Sequence, residues 1–146
     1  MVAKPIAYLD TSLYVRRFVR EGGAESTSRL LSRYSLVSSF LLQIETASAI
    51  SRKRAEGVLP DEELERVRDE VFAGLRHISF VVVDASVAKQ AREAVSKHGL
   101  RSLDAVHLGT ALFLRESVGA DIPFLTADAR LADAASREGF RVFGAG

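Results

Sequence analysis

The chain has 146 residues, 47% apolar and 27% charged, which suits one globular domain spanning 1–146 with an ordinary core and excludes a disordered or staple-dependent chain. No run of about 18 apolar residues is present, and "MVAKPIAYLDTS" enters strand-like sequence without an apolar leader, so neither a membrane span nor a signal peptide is expected. The absence of cysteine excludes disulfides and thiolate metal sites and suits the cytoplasm, and a net charge of +1 excludes a strongly basic nucleic-acid binder.

In chain order, "IAYL" (6–9) reads as a strand, and helices are predicted over 11–20 and about 25–34, separated by "EGG" at 21–23. "SLVSS" (35–39) reads as a short strand. A helix follows over 39–56, with Ser38 or Ser39 as its N-cap. "EGVLPDEE" supplies a glycine stop and an acidic start for an amphipathic helix over 61–76, with Leu64, Val67, Val71 and Leu75 on one face. That face could be core, dimer interface or partner groove, with core the default. "ISFVVVD" is an apolar strand, followed by helices over 85–97 and 102–116. "IPFLT" is a strand, 127–138 a helix, and "RVF" a last short strand.

Apolar strands that do not alternate are buried on both faces, and strands separated by helices make a parallel sheet. The predicted fold is therefore a three-layer α/β/α sandwich with about five parallel strands. Ligands of such sheets sit beyond the carboxyl ends of the strands.

Several acids lie near those ends. Asp10 follows the first strand directly and could cap a helix or hold a metal. Glu45 shares a largely apolar stripe with Leu42 and Ala49, so its charge needs a partner, a metal ion or an exposed edge. Arg52, two turns on, is one such partner. Asp104 lies in the first turn of a helix that is apolar almost all round, with Ser102 as its expected cap. Asp128 follows a strand, and Thr126 is expected to cap the next helix, leaving Asp128 free for other work. Asp84 reads as a helix cap and Asp133 as a surface acid. His107 reads as a hydrogen-bonded core residue despite its spacing from Asp104, and His77 and His98 read as structural.

"YLDTS", "SSFLLQIE", "LRSLDAVHL" and "FLTAD", in this order and over the whole chain, resemble the PIN-domain family, and within it the VapC-type ribonuclease toxins. The resemblance implies that Asp10, Glu45, Asp104 and Asp128 form an acidic cluster for Mg²⁺ or Mn²⁺. It implies supporting hydroxyls from Ser12 and Thr126. It further implies endonucleolytic cleavage of RNA, a small antitoxin as partner, and a homodimer.

Carboxylates about 5 Å apart repel by about 3 kcal/mol per pair at an effective dielectric of about 20, so such a cluster draws in a cation. Hard oxygen donors without cysteine favour Mg²⁺ or Mn²⁺ over zinc. In this reading Asp10 and Asp104 are the firmest ligands, Glu45 ligates or orients the attacking water, and Asp128 completes the site. Substrate grip must come from local cations. Arg101 and Arg130 flank the acids, with Arg16, Arg17 and Arg52 as weaker choices. The alternative reading is a PIN-like RNA- or protein-binding scaffold without catalysis. A receiver domain would need an acid pair and a late lysine, which this chain lacks. A haloacid-type phosphatase would need an aspartate where Ser12 stands.

Overall fold

The computed structural model describes residues 3–19 and 22–145. Five strands alternate with seven helices: β1 (Ile6–Leu9), α1 (Thr11–Arg16), α2 (Ala24–Leu31), β2 (Ser35–Ser39), α3 (Leu42–Ala55), α4 (Asp61–Gly74), β3 (Ile78–Val81), α5 (Ala85–His98), α6 (Ser102–Val118), β4 (Phe124–Leu125), α7 (Ala129–Arg137) and β5 (Val142–Phe143). A single 3-10 turn, Leu75–His77, links α4 to β3. The sheet is parallel throughout, in the order β3-β2-β1-β4-β5. No described helix is long and apolar enough to cross a membrane.

The central strand shows why three layers form. Side chains alternate across a strand. Ala7 and Leu9 enter one core with residues of α1 to α4, and Tyr8 enters the other with residues of α5 to α7. Val67 and Val71 of α4 lie in the first core, and Leu75 packs against it, so this face is core, as the default reading had it. The Tyr14 hydroxyl donates to the Val71 carbonyl and locks α1 to α4.

Element boundaries differ from the predicted ones mainly at caps. α3 begins at Leu42, because Ser38 and Ser39 are still in β2. Ser38 donates to the Leu9 carbonyl at 2.6 Å, and Ser39 Oγ accepts from the Leu41 N–H at 3.2 Å. Ser102 is the first residue of α6 and Arg101 its cap, with no side-chain bond there. Asp84 caps α5 through the Val87 N–H, as predicted. Arg20 and Glu21, the end of the first predicted helix and the start of its break, lie outside the described residues.

The chain runs outward from β1 through β2 to β3, then returns through α5 and α6 to place β4 on the other side of β1. Strand order therefore reverses between β1 and β4, which opens a crevice at their carboxyl ends. The return depends on close packing of α5 on α6. A Cβ on Gly109 would lie 2.6 Å from the Ala91 backbone nitrogen and 2.8 Å from its Cα. Backbone atoms cannot step aside without parting the helices. We expect Gly109→Ala to cost about 1–3 kcal/mol of stability in urea unfolding. A variant as stable as the parent would show that the two helices do not approach this closely.

Candidate active site

Four acids line one cleft of about 290 Å³ at the switch point, together with Thr11, Ser12, Val15, Ala49, Arg52 and Lys53. The acids are Asp10, Glu45, Asp104 and Asp128. Each reaches the cleft from the start of a helix. Asp10 caps α1, Glu45 and Asp104 lie in the first turns of α3 and α6, and Asp128 caps α7.

Asp10 is the most constrained. Its side chain is only 6% exposed. Oδ2 accepts the Ser12 hydroxyl at 2.5 Å, the Thr126 hydroxyl at 2.8 Å and the Ser12 N–H at 3.3 Å. Oδ1 lies 3.5 Å from His107 Nε2. The carboxylate thus does both jobs that its position allowed: one oxygen caps a helix, and the other is left for the cleft. Ser12 and Thr126 support it, and they tie the two loops together. Ser12 Oγ also accepts the Ala127 N–H at 3.0 Å, and Thr126 Oγ1 accepts the Asp128 N–H at 3.0 Å.

Asp128 differs from its sequence reading. Thr126 does not cap α7: its oxygen accepts the Asp128 N–H, ahead of the helix, while its hydroxyl donates to Asp10. Asp128 Oδ1 caps the helix instead, accepting the Leu131 N–H at 2.9 Å. Asp128 thus caps α7 and lines the cleft at once.

Glu45 does not pair with Arg52. Its Oε1 is 2.6 Å from His107 Nε2 and accepts the Thr11 hydroxyl at 3.1 Å. His107 is buried and hydrogen-bonded, as predicted, but the sequence reading left it out of the site. Its Nδ1 is 2.6 Å from the Tyr8 hydroxyl. No local signal announces this contact, because Tyr8 is 99 residues away. Burial alone would lower the His107 pKa, but Asp10 and Glu45 outweigh it and raise it above 6.5.

Arg52 and Lys53 supply positive charge at the cleft wall. Arg101 and Arg130 are exposed and are not among its lining residues. Arg130 donates to the Gly99 carbonyl at 2.9 Å, which ties α7 to the turn before α6. Arg16 is bonded to the Gly144 carbonyl. Asp133 is the surface acid expected, ion-paired with Arg137. His98 is buried against Glu138, while His77 is exposed.

Among the described residues no three Asp, Glu, His or Cys side chains stand in a ready-made cation cage. The chemistry of the lining nonetheless fits a hard divalent ion. All four acids offer oxygen, and an ion of the Mg²⁺ type keeps several waters and needs only one or two carboxylates. The electrostatics agree: burial raises the Asp104 pKa above 3.8, and Asp128, Asp10 and Glu45 push it further up against the opposing pull of His107.

Comparison with known proteins places this geometry in context. The family model described as PIN domain matches residues 7–137. "Ribonuclease VapC46" of Mycobacterium tuberculosis (strain ATCC 25618 / H37Rv) is 34% identical over 137 residues, covering 92% of this chain and 94% of the relative. "Ribonuclease VapC45" of Mycobacterium tuberculosis (strain CDC 1551 / Oshkosh) is 30% identical over 112 residues, covering 74% of this chain and 76% of the relative. Among solved structures, FitAcB from Neisseria gonorrhoeae superposes with a TM-score of 0.65 at 18% identity, over 94% of this chain and 96% of that one. VapC20 of Mycobacterium tuberculosis, described as a Sarcin-Ricin loop cleaving toxin, gives 0.64 at 18% identity, over 92% and 95%. The VapBC2 structure from Rickettsia felis, bound to a DNA fragment from its promoter, gives 0.62 at 13% identity, over 94% and 97%. At these identities the structural matches speak for the fold alone.

The raised Asp104 pKa makes a stability prediction with a definite sign. A carboxyl whose folded pKa lies above its unfolded value costs stability when ionised. That cost is absent below the unfolded value and grows as pH rises through the folded pKa. We expect Asp104→Asn to raise the thermal midpoint of the metal-free protein at neutral pH, and the gain to vanish on acidification toward 3.8. A midpoint lower than the parent's at neutral pH would mean that the helix-dipole contribution of Asp104 exceeds the repulsion.

Proposed function

The chain belongs to the PIN domain family, and from that premise we propose that it is a Mg²⁺- or Mn²⁺-dependent endoribonuclease, the toxin of a VapBC-type toxin–antitoxin pair. The observation that carries the activity is the convergence of Asp10, Glu45, Asp104 and Asp128 on one cleft at the sheet's switch point. The two ribonuclease relatives support the class, and the likeness to the solved toxin–antitoxin structures supports the fold.

In this reading the whole chain acts as one nuclease domain on RNA in the cytoplasm. A bound divalent ion would supply positive charge at the scissile phosphate and lower the pKa of a water. The rest falls to the protein. Asp10, Glu45, Asp104 and Asp128 would hold the ion, with Asp10 and Asp104 nearest the centre of the set. Ser12 and Thr126 fix which Asp10 oxygen faces the cleft. Arg52 and Lys53 would grip phosphates flanking the cut, with Arg101 and Arg130 as outlying contacts for a longer strand. A cognate antitoxin and a second copy of the chain are the proposed protein partners. All four acids line the one cleft, which favours the nuclease over the non-catalytic scaffold.

Removing an acid that holds the ion costs several kcal/mol of transition-state stabilisation, and about 1.4 kcal/mol is a factor of ten. Asp10→Asn and Asp104→Asn should each lower Mg²⁺- or Mn²⁺-dependent RNA cleavage by about a hundredfold or more, and a chelator should abolish it in the parent. The circular dichroism spectrum should not change. Undiminished cleavage in both variants would end the nuclease reading.

A further inference from the structure

His107 is a buried imidazole with both ring nitrogens committed. Its side chain is 1% exposed. Nδ1 faces the Tyr8 hydroxyl at 2.6 Å, and Tyr8 is itself fully buried and stacked on Phe124 at 5.2 Å between centroids. The ring is thus anchored from behind by a side chain that has no room to move. Nε2 points the other way, 2.6 Å from Glu45 Oε1 and 3.5 Å from Asp10 Oδ1. An ionised carboxylate only accepts, so the proton sits on Nε2 and the N–H stands between two acids.

Glu45 needs such a hold. Its side chain has three rotatable bonds, is 18% exposed, and shares its cleft with three other carboxylates that push it toward solvent. His107 and Thr11 both donate to Oε1. No described residue donates to Oε2.

We propose that His107 is a positioning residue for the reaction: by gripping Oε1 from an anchored ring, it fixes Glu45 so that Oε2 alone is offered to a cation or a water in the cleft. The inference rests on the nuclease reading above. It deepens that reading, because it assigns the orientation of one acid to a residue outside the acidic set.

Two amides separate this role from simple core filling. Asparagine at 107 places its amide near the Nδ1 position and cannot reach Glu45, whereas glutamine extends to the Nε2 position. The measurements are Mn²⁺ affinity by calorimetry at one fixed pH, kcat and KM for an RNA substrate, and the thermal midpoint, all on the full chain. We expect His107→Asn to weaken Mn²⁺ binding and lower kcat by about 10- to 100-fold, the range found for residues that orient a metal ligand. RNA KM should move by less than about threefold. His107→Gln should recover most of both losses. In a Glu45→Ala background, His107→Asn should weaken Mn²⁺ binding no further. Three results would overturn the inference: parental Mn²⁺ affinity and kcat in His107→Asn, equal losses in both amides that track the thermal midpoint, or additive losses in the Glu45→Ala background. Asp104→Asn measured alongside keeps the two claims apart. If it leaves Mn²⁺ binding intact, the nuclease reading fails. If it abolishes binding while His107→Asn does not, only the role of His107 fails.

Discussion

Four carboxylates meet at one edge of the sheet, and each belongs to the cap or first turn of a helix. This arrangement is what allows like charges to be gathered at all. Pairs at about 5 Å repel by about 3 kcal/mol at an effective dielectric of about 20. A helix N-terminus returns about 0.3–1 kcal/mol to each acid placed on it. The deficit is reduced by donors aimed at particular oxygens: two hydroxyls and an N–H on Asp10, an N–H on Asp128, and an imidazole and a hydroxyl on Glu45. Asp104 has no such side-chain donor among the described residues, and burial together with the neighbouring acids raises its pKa.

The parallel sheet explains why the helices begin there. A strand that ends at the top of the sheet must be followed by a helix that starts at the top, and α1, α3 and α7 follow β1, β2 and β4 in this way. The reversal of strand order between β1 and β4 then separates α1 from α7 and leaves a crevice that Asp10 and Asp128 both line. Ser12 and Thr126 close the floor of that crevice by sharing Oδ2 of Asp10. The same hydroxyls therefore join two loops and orient a carboxylate, so fold and site cannot be varied independently here.

Much of this was legible in the sequence. The strands over 6–9 and 35–39 have the predicted bounds, the first because its apolar run stops at Asp10. The third strand is shorter than its apolar run. "FVVV" continues beyond Val81, where pairing stops, and Val82 is 65% exposed. An apolar run does not say where its neighbour ends. Caps were misread for a related reason. Ser102 and Thr126 are good capping residues in isolation, but Arg101 occupies the cap before α6 and Asp128 the cap before α7. The order of the four acids was readable, but their convergence depended on family likeness and strand order. His107 was beyond reach, since its meaning lies in Tyr8 and Glu45, 99 and 62 residues away.

The hold on Glu45 has a consequence at the other end of the same helix. Glu45 and Arg52 are seven residues apart on α3, about two turns and about 10 Å along the axis, and both line the cleft. Left alone, an acid and a base so placed on one face are natural partners. Instead Glu45 is taken by His107 and Thr11, and among the described residues Arg52 makes a 3.4 Å contact to Ser48. α3 therefore presents an acid at its positive end and a guanidinium at its negative end, each in the place the helix dipole favours. A chain with a net charge of only +1 cannot draw a polyanion by its overall field. Under the nuclease proposal it needs positive charge at the cleft itself, and a histidine that occupies Glu45 leaves the Arg52 guanidinium unpaired with that acid.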